Sequence, residues 1–398
     1  MYVTRPLSLY KKFPSALSLP PPEGPNSGIL VILDEETEPT CCFGLCKSNE
    51  LRELPFPQNK DLRTYYTTNS GAGQQSQTQY HYTRVVFIPV LDQPLSSNQY
   101  YAIQPRGRHK GEAFTSSTEE DMTTCCFCYF VNDRKPQPFD PNNIYQQIEV
   151  CNYKRRGFSA KSVAPDGLPP KFLSRKGWNL EIKTPRNFNL GEAPGLDAAL
   201  RARLPDFDSL PLSSKTSRPV VVGKWYCPFF FIKESSISLK EQMNVSMYYE
   251  MTLEQRWEQI LSCGNSYNED NCAVVDVTVQ TELVSLAGDM EAVPHDNINV
   301  VDGVIWFRTS NNVGEEISLG LSTKITERMK WEQERFGFIG ENEGPVSVKR
   351  VEEFRGVGDW RKFGCYVLVE RFVLKRMDGS LVLTYDFKQS HQIRTKWE

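Results

Sequence analysis

Short apolar runs, bounded by proline, glycine or polar residues, dominate the first part of the chain. Residues 29–33 form a continuous apolar run of the length that suits a buried strand. Residues 84–91, 100–103 and 125–131 are further strand candidates, the first with an edge position or a bulge at Pro89. No strong helical pattern interrupts these runs, so we predict a strand-rich N-terminal lobe.

Apolar residues in the C-terminal half recur every four positions, which lines one face of a helix. The first stripe comprises Leu239, Met243, Met247 and Met251, and it continues with Trp257, Ile260 and Leu261. The second stripe comprises Ile317, Leu321, Ile325 and Met329. Ser238 and Glu241 lie at the start of the first stripe in the spacing of a capping box, in which each side chain satisfies a free backbone donor. We therefore predict two long amphipathic helices.

Strands are predicted on either side of these helices. They cover residues 225–233, 273–283, 304–307, 365–375 and 381–387. The last two flank Asp378-Gly379, a pair that supplies the positive φ of a tight hairpin turn.

A repeat is suggested by residues 252–259 and 326–333, which share Thr, Trp, Glu and Gln and match Arg with Lys in charge. With the same offset, the strand beginning near Cys272 aligns with the one beginning at Val346. This favours a tandem strand–helix–strand duplication. The alternative is two unrelated amphipathic helices that resemble each other because both contain Trp.

Proline, glycine and charged residues crowd residues 153–219, and so long an irregular stretch is typical of a linker or a functional loop system. We place the lobe boundary there. The predicted fold is α+β: a strand-rich N-terminal lobe over 1–152, a Pro-rich irregular connection over 153–219, and a C-terminal lobe over 220–398. That last lobe would hold antiparallel strands and the two long helices, with the helices covering one face of the sheet.

The charges nearly balance, with 46 Lys and Arg against 49 Asp and Glu. The net charge of -3 gives no overall attraction to nucleic acid, and no run approaches the ~20 apolar residues of a membrane span. With 11 Cys and no secretory signal, we expect free thiols in a reducing compartment. We expect a cytoplasmic protein; the alternatives are the nucleus and, from the basic, Ser-containing N-terminus, an organelle reached by a transit peptide.

Two cysteine clusters are the candidate metal site. Together they comprise Cys41, Cys42, Cys46, Cys125, Cys126 and Cys128. Four thiolates around one ion would form a closed zinc site, but neither cluster has the usual C-x2-C spacing and no histidine lies close in sequence. We favour cysteines that pack as small apolar residues in strands, and we expect no metal and no cofactor.

A compact basic loop is the candidate anion site. It contains Arg106, Arg108, His109 and Lys110 between Gly107 and Gly111. Guanidinium and ammonium groups bind phosphate or carboxylate, and an imidazole titrates near neutral pH. A solvated hairpin tip is the alternative. His109 and Glu112 form the best acid–base pair in the sequence, although two residues do not make a catalytic site.

Several stretches resemble the land-plant family catalogued as domain of unknown function 1262. They are residues 1–8 (MYVTRPLS), 41–46 (CCFGLC), 87–90 (FIPV), 107–111 (GRHKG), 125–128 (CCFC), 223–226 (GKWY), 248–257 (YYEMTLEQRW) and 369–387 (VERFVLKRMDGSLVLTYDF). The resemblance covers essentially the whole chain. It implies a plant source and makes a cleaved presequence less expected, and it brings no catalytic residue, cofactor or substrate.

The sequence contains no phosphate-binding loop, no dinucleotide-binding glycine motif and no zinc-protease motif. We therefore expect a non-enzymatic interaction or ligand-binding protein with a protein or small-molecule partner. The alternative is an enzyme that acts on an anionic small molecule near residues 106–110. An enzyme should show a pocket in which His109 or a carboxylate meets the basic loop.

Overall fold

The structure is a computed structural model. It describes residues 1–21, 24–41, 46–70, 77–125, 128–154, 157–183, 189–265, 271–288, 290–294, 300–310, 314, 316–338 and 345–398. The chain forms two compact units, which are described separately. Unit 1 comprises Met1–Ala193, Pro228–Phe230 and Ile237–Met247. Unit 2 comprises Pro194–Cys227, Phe231–Ser236 and Tyr248–Glu398. The boundary predicted at 153–219 stays a prediction.

The α-helices of the described residues are few and short. They are α1 (Leu7–Lys12), α2 (Lys171–Ser174), α3 (Ala198–Arg203), α4 (Leu239–Val245) and α5 (Thr323–Arg335). Short 3-10 turns occur at Pro14–Ser18, Glu35–Thr37, Leu95–Ser97, Glu119–Asp121, Ile144–Gln146 and Phe229–Phe231. Only α4 and α5 reach seven residues or more, so the helices contribute little of the secondary structure.

Unit 1 is built mainly from strands. They are β1 (Tyr2–Pro6), β2 (Gly28–Ile32), β3 (Thr40–Cys41), β4 (Cys46–Lys47), β5 (Glu50–Leu51), β6 (Asp61–Ser70), β7 (Gln77–Pro89), β8 (Gln99–Ile103), β9 (Met122–Cys125), β10 (Cys128–Val131), β11 (Gln147–Asn152), β12 (Phe158–Ser162) and β13 (Asn179–Lys183). Seven of them form a sheet in the order β12-β11-β8-β7-β6-β13-β5. β1 and β2 pair in parallel, and β3–β4 and β9–β10 are antiparallel pairs.

Aromatic rings fill the core of unit 1 on one face of the seven-stranded sheet. Phe56 lies at the centre, with ring centroids 5.0 Å from Phe87, 5.5 Å from Tyr100 and 5.1 Å from Phe158. The buried Trp178 indole NH donates to the carbonyl of Leu173 at 2.8 Å, so its polar atom is satisfied inside the core. This packing fixes which face of the sheet points outward.

Unit 2 contains the longest strands. They are β14 (Gly195–Leu196), β15 (Val220–Pro228), β16 (Ile232–Glu234), β17 (Tyr248–Gly264), β18 (Cys272–Gln280), β19 (Glu282–Leu286), β20 (Met290–Pro294), β21 (Val300–Val301), β22 (Val304–Ser310), β23 (Glu316–Ser322), β24 (Pro345–Glu353), β25 (Lys362–Arg376) and β26 (Leu381–Trp397). The main order is β16-β23-β22-β20-β19-β26-β25-β17-β15, with β14 on β15 and β21 on β22. β18 and β24 form a separate antiparallel pair.

The hairpin at the end of the chain is confirmed. β25 and β26 pair antiparallel from Phe363 opposite Trp397 to Lys375 opposite Leu381. The turn closes when the amide of Arg376 donates to the carbonyl of Ser380 at 2.9 Å, and Gly379 adopts φ 87°. The positive φ required by the turn is the conformation that glycine adopts at no steric cost.

The predicted α+β fold class is wrong, because the structure is dominated by strands. The predicted first helix ends at Val245, after its capping box at Ser238 and Glu241, and residues 248–264 form β17. The second stripe begins in β23 and becomes helical only from Thr323. A stripe with a period of four also satisfies a period of two, so it fits a strand face as well as a helix face.

The predicted tandem strand–helix–strand duplication is also wrong. Residues 252–259 lie in β17, whereas residues 326–333 lie in α5, so the two similar segments have different secondary structures. The two strands thought to be copies, β18 and β24, are instead antiparallel partners of one another.

The single strand predicted at 125–131 is also wrong. Residues 122–125 form β9 and residues 128–131 form β10, and the two strands pair with each other; residues 126–127 lie outside the described part of the chain.

Candidate anion-binding site

Two arginines stand opposite each other on the outward face of the unit 1 sheet. In the antiparallel pairing of β6 with β7, Arg63 is the partner of Arg84 and Tyr65 is the partner of Tyr82. Successive residues of a strand alternate between the two faces. Since Leu62 on β6 is buried in the core, the neighbouring arginine of that strand points away from the core.

Each of these arginines has one acidic neighbour. Arg63 donates from Nε to Glu181 Oε2 at 3.1 Å, and its guanidinium lies 4.2 Å from the centroid of the Tyr82 ring. Arg84 reaches Asp61 at 3.4 Å. Like charges placed directly opposite across a strand pair are destabilising, and these carboxylates reduce the repulsion. The sheet therefore holds two cations close together at a small electrostatic cost.

A third arginine completes the group. Arg106, together with Arg63, Tyr82 and Arg84, lines a depression of about 430 Å³. Among the described residues, the Arg106 side chain has no hydrogen-bond or ion-pair partner. The Gln104 side chain donates to the Arg106 carbonyl at 2.8 Å and so fixes the start of the loop. Asp61 lies close enough for its charge to interact with that of Arg106. Within the described residues, Arg106 therefore has a charge neighbour but no ion pair or side-chain hydrogen bond, and its guanidinium group can accept a ligand.

The rest of the depression is largely apolar. Phe114 and Phe172 line it, with their ring centroids 5.1 Å apart in an edge-to-face arrangement. Tyr82 is 48% exposed and presents its ring to solvent. Binding sites for small molecules combine apolar walls with a few convergent polar groups. These walls could contact the apolar or planar part of a ligand whose anionic group meets the arginines.

Two opposing effects act on the Asp61 carboxyl beside the depression. Burial raises the pKa of this carboxyl above its usual value, although the positive charges of Arg84 and Arg106 act in the opposite direction. An anion near Arg106 experiences the same two guanidinium groups without the full cost of burial, because the depression is open to water. The electrostatics of the site therefore suit an anionic ligand.

The four side chains of the predicted basic loop do not meet at one place. Arg108 is exposed, and His109 Nδ1 lies 2.6 Å from Glu112 Oε2. Lys110 Nζ donates to the side-chain oxygen of Asn244, just inside the end of α4. Burial and the charge of Arg106 lower the pKa of Lys110. Of the four predicted residues, the structure brings only Arg106 into the depression.

The cysteine clusters can be followed only in part. Cys41 on β3 is the register partner of Cys46 on β4, and Cys46 is an exposed free thiol. Cys125 and Cys128 are register partners in the β9–β10 pair. Cys42 and Cys126 lie outside the described residues. Within the described part of the chain, no group of three His, Cys, Asp or Glu side chains is placed to hold a metal ion.

Sequence reasoning missed most of the depression. A signal was present in β7, where Tyr80, Tyr82 and Arg84 alternate with residues of the opposite face. The partner arginine on β6 and the rings of Phe114 and Phe172 come from distant parts of the chain. Only the strand register and the loop path bring them to the same place.

The fold and the depression together define a strand-rich protein with an arginine-lined surface site. The family model described as "Protein of unknown function (DUF1262)" matches residues 23–127, a segment that includes Arg63, Arg84 and Arg106. No curated protein matches the chain. Among solved structures, the chain is similar to "Crystal structure of Cry35Ab1", with a TM-score of 0.46 and 12% identity over 86% of this chain and 90% of that chain. This likeness is too distant to carry an argument about the present chain.

In the described part of the chain, no helix is both long enough and apolar enough to cross a membrane. The longest helix, α5, has 13 residues, well short of the ~20 that a spanning helix needs.

Proposed function

We propose that the protein is a non-enzymatic ligand-binding protein whose depression on the unit 1 sheet holds a small organic anion. The observation that supports this most directly is Arg106, a guanidinium group beside Arg63 and Arg84 that forms no ion pair or side-chain hydrogen bond within the described residues. Guanidinium groups bind carboxylate and phosphate through paired hydrogen bonds. The rings of Phe114 and Phe172 favour an anion that carries an apolar or planar group.

The proposal extends to the source of the protein and its location. We propose a land-plant origin on the family resemblance described above; the family model itself matches residues 23–127. The free thiols of Cys46, Cys227 and Cys365 support a reducing compartment such as the cytoplasm. The partner that we favour is a small molecule, and we do not expect nucleic acid to bind, because the net charge of -3 provides no general attraction.

The test is a calorimetric titration of the full chain with phenyl phosphate, inorganic phosphate and benzyl alcohol. We expect phenyl phosphate to bind more tightly than inorganic phosphate, because only the former reaches the aromatic wall. We expect Arg106→Ala to leave any heat of benzyl alcohol binding unchanged, because that molecule has no anionic group. Arg106→Ala should weaken phenyl phosphate binding by about tenfold, the value of one charge-assisted hydrogen bond. Added salt should weaken binding in the wild-type protein, because the site is open to solvent.

Two matched variants sharpen the result. Arg355→Ala removes an exposed arginine far along the chain and should leave the affinity unchanged, which controls for net charge. Arg108→Ala tests the loop itself and should weaken binding less than Arg106→Ala does. If Arg108→Ala had the larger effect, the loop tip and not the depression would be the binding site. If wild-type protein bound neither phosphate compound, the proposed function would be wrong.

An enzyme acting on the same anions is the alternative expected from the sequence. The described residues that line the depression include no histidine and no carboxylate, and His109 is engaged with Glu112 elsewhere on the loop. A general acid or base must lie within hydrogen-bond reach of the reacting group. No observation therefore favours catalysis over binding at this site.

A further inference from the structure

A second cavity in unit 1 lies beneath the first helix. It has a volume of about 440 Å³ and is lined by α1, the 3-10 turn Pro14–Ser18, β5 and the residues that follow β5. It shares no lining residue with the arginine-lined depression. The size falls within the ~300–1,000 Å³ of typical small-molecule sites.

The wall of this cavity combines apolar side chains with a few hydroxyl groups. Leu7 and Leu51 are buried, and Tyr10 is only 5% exposed. Among the described residues, the Tyr10 hydroxyl has no hydrogen-bond partner. Its oxygen is not fully buried, so the hydroxyl can be reached from the cavity, where a ligand can replace water. Burial raises the pKa of Tyr10 to about 12, so the hydroxyl is a neutral donor at neutral pH.

Charged residues surround the mouth of the cavity, and their charges cancel. Lys11 and Arg52 are positive, whereas Glu50 and Glu53 are negative. Arg52 Nη2 is held by Glu50 Oε2 at 2.8 Å. This balance contrasts with the arginine-lined depression, and it gives an ionic ligand no net attraction. The cavity therefore suits a neutral ligand.

We propose that this cavity binds a neutral small molecule that has an apolar ring and a single hydroxyl or carbonyl oxygen, with the oxygen at Tyr10. The ring packs against Leu7 and Leu51, and the oxygen accepts a hydrogen bond from the Tyr10 hydroxyl in place of water. The site is independent of the anion-binding function proposed above.

The test uses 2-naphthol and naphthalene as probes and measures binding to the full chain by fluorescence titration. Wild-type protein should bind 2-naphthol more tightly than naphthalene. Tyr10→Phe keeps the ring and removes the hydroxyl, so it should raise the Kd of 2-naphthol by about 3- to 10-fold, which corresponds to one neutral hydrogen bond. The Kd of naphthalene should not change.

A matched pair of variants in one segment tests the location. Leu17 lines the cavity, whereas Leu19 is 61% exposed and does not line it. Leu17→Trp should fill the cavity and abolish 2-naphthol binding, and Leu19→Trp should leave the affinity unchanged. The proposal is overturned if wild-type protein binds neither probe, if Leu17→Trp binds 2-naphthol as well as Leu19→Trp does, or if Tyr10→Phe affects both probes equally.

Discussion

Gly107 and Gly111 have nearly the same backbone conformation in the basic loop, with φ of 83° and 88°, but different surroundings. A Cβ on Gly111 would lie 2.9 Å from Leu239 Cγ and 3.4 Å from Phe229 Cε2. A Cβ on Gly107 would meet only the end of the Gln104 side chain, at 3.5 Å. A side chain at Gly107 therefore adds only the cost of a positive φ, whereas a side chain at Gly111 also adds a steric clash.

We predict that Gly111→Ala lowers the free energy of unfolding by about 1–3 kcal/mol more than Gly107→Ala does, because it alone adds overpacking to the cost of a positive φ. Urea unfolding followed by circular dichroism measures the difference. Equal losses for the two variants would show that Leu239 and Phe229 move aside without cost.

Cysteine reactivity should follow burial. Burial raises the pKa of Cys227 and of Cys365 to about 11, whereas Cys46 is exposed. Only the thiolate attacks an alkylating reagent. We expect iodoacetamide at neutral pH to modify Cys46 quickly and the two buried thiols only after denaturation, as measured by peptide mass spectrometry. Rapid labelling of Cys227 in the native protein would contradict the described packing.

The sequence showed which residue types are available to the anion site, but it did not show where their side chains point. The loop from Arg106 to Lys110 was identified from its composition. Its side chains then separate, because His109 has Glu112 within reach and Lys110 has Asn244. Local composition predicts which groups are available, whereas tertiary neighbours decide which of them remain free for a ligand.

At the scale of elements, β17 and α5 show why secondary structure could be predicted only in part. Their similar segments contain Trp257 and Trp331, each followed by Glu and Gln. β17 has Tyr248, Tyr249 and Thr252, residues that favour strands, and it pairs along its length with β25. The local pattern allows both a strand and a helix, and pairing with β25, a distant part of the chain, selects the strand for residues 248–264.

A group of buried charges connects three elements of unit 2. Arg201 on α3 donates from Nη1 to Glu332 Oε1 on α5 at 2.8 Å, and from Nε to Glu370 Oε1 on β25 at 2.8 Å. The side chains of both glutamates are fully buried. Gln255 on β17 also donates to Glu370, at 2.8 Å. Removal of the arginine would leave Glu370 buried without its cation, whereas Glu332 would keep the buried Arg328 at 3.0 Å.

We predict that Arg201→Met lowers the free energy of unfolding by about 3–5 kcal/mol, the usual cost of an uncompensated buried charge. Arg335 provides the control, because it approaches the same Glu332 carboxylate at 3.8 Å but its side chain is 48% exposed. Arg335→Met should cost less than about 1 kcal/mol. Urea unfolding measures both values, and comparable losses would mean that burial does not control the strength of these pairs.

For the molecule as a whole, buried tyrosines predict a loss of stability at alkaline pH. Burial raises the pKa of Tyr10 to about 12, and it also raises the pKa values of Tyr65, Tyr100, Tyr101 and Tyr248. The folded state keeps these protons at a pH where the unfolded state loses them. Their contribution to stability is therefore fully present below about pH 10 and is lost as the pH rises toward the folded-state values.

The measurement is the urea midpoint at about pH 9, 10 and 11, which should fall at the two higher values. The change should reverse when the pH is returned to neutral. A midpoint that stayed constant over this range would show that the tyrosines ionise equally in the folded and unfolded states.

The sequence predicted those parts of the architecture that depend only on a short stretch of residues. The terminal hairpin at Asp378-Gly379 and the strand at β2 needed only a turn pair and a short apolar run. The fold class needed more, since it depended on whether stripes with a period of four were helices. The large sheets decide that question through pairings between distant strands, which a single sequence does not reveal.

Unit 1 is built from separate segments of the chain, and this limits how the protein can be divided into fragments. The chain passes from one unit to the other after residues 193, 227, 230, 236 and 247, so no single cut separates the two. A fragment that ended at Ala193 would lack Phe230, whose ring lies 4.0 Å from Phe139 and 6.3 Å from Tyr101. It would also lack α4, which supplies Leu239 beside Gly111. Recombinant expression of this unit alone would thus require that two later segments be joined to the fragment. Simple truncation would expose aromatic side chains that promote aggregation.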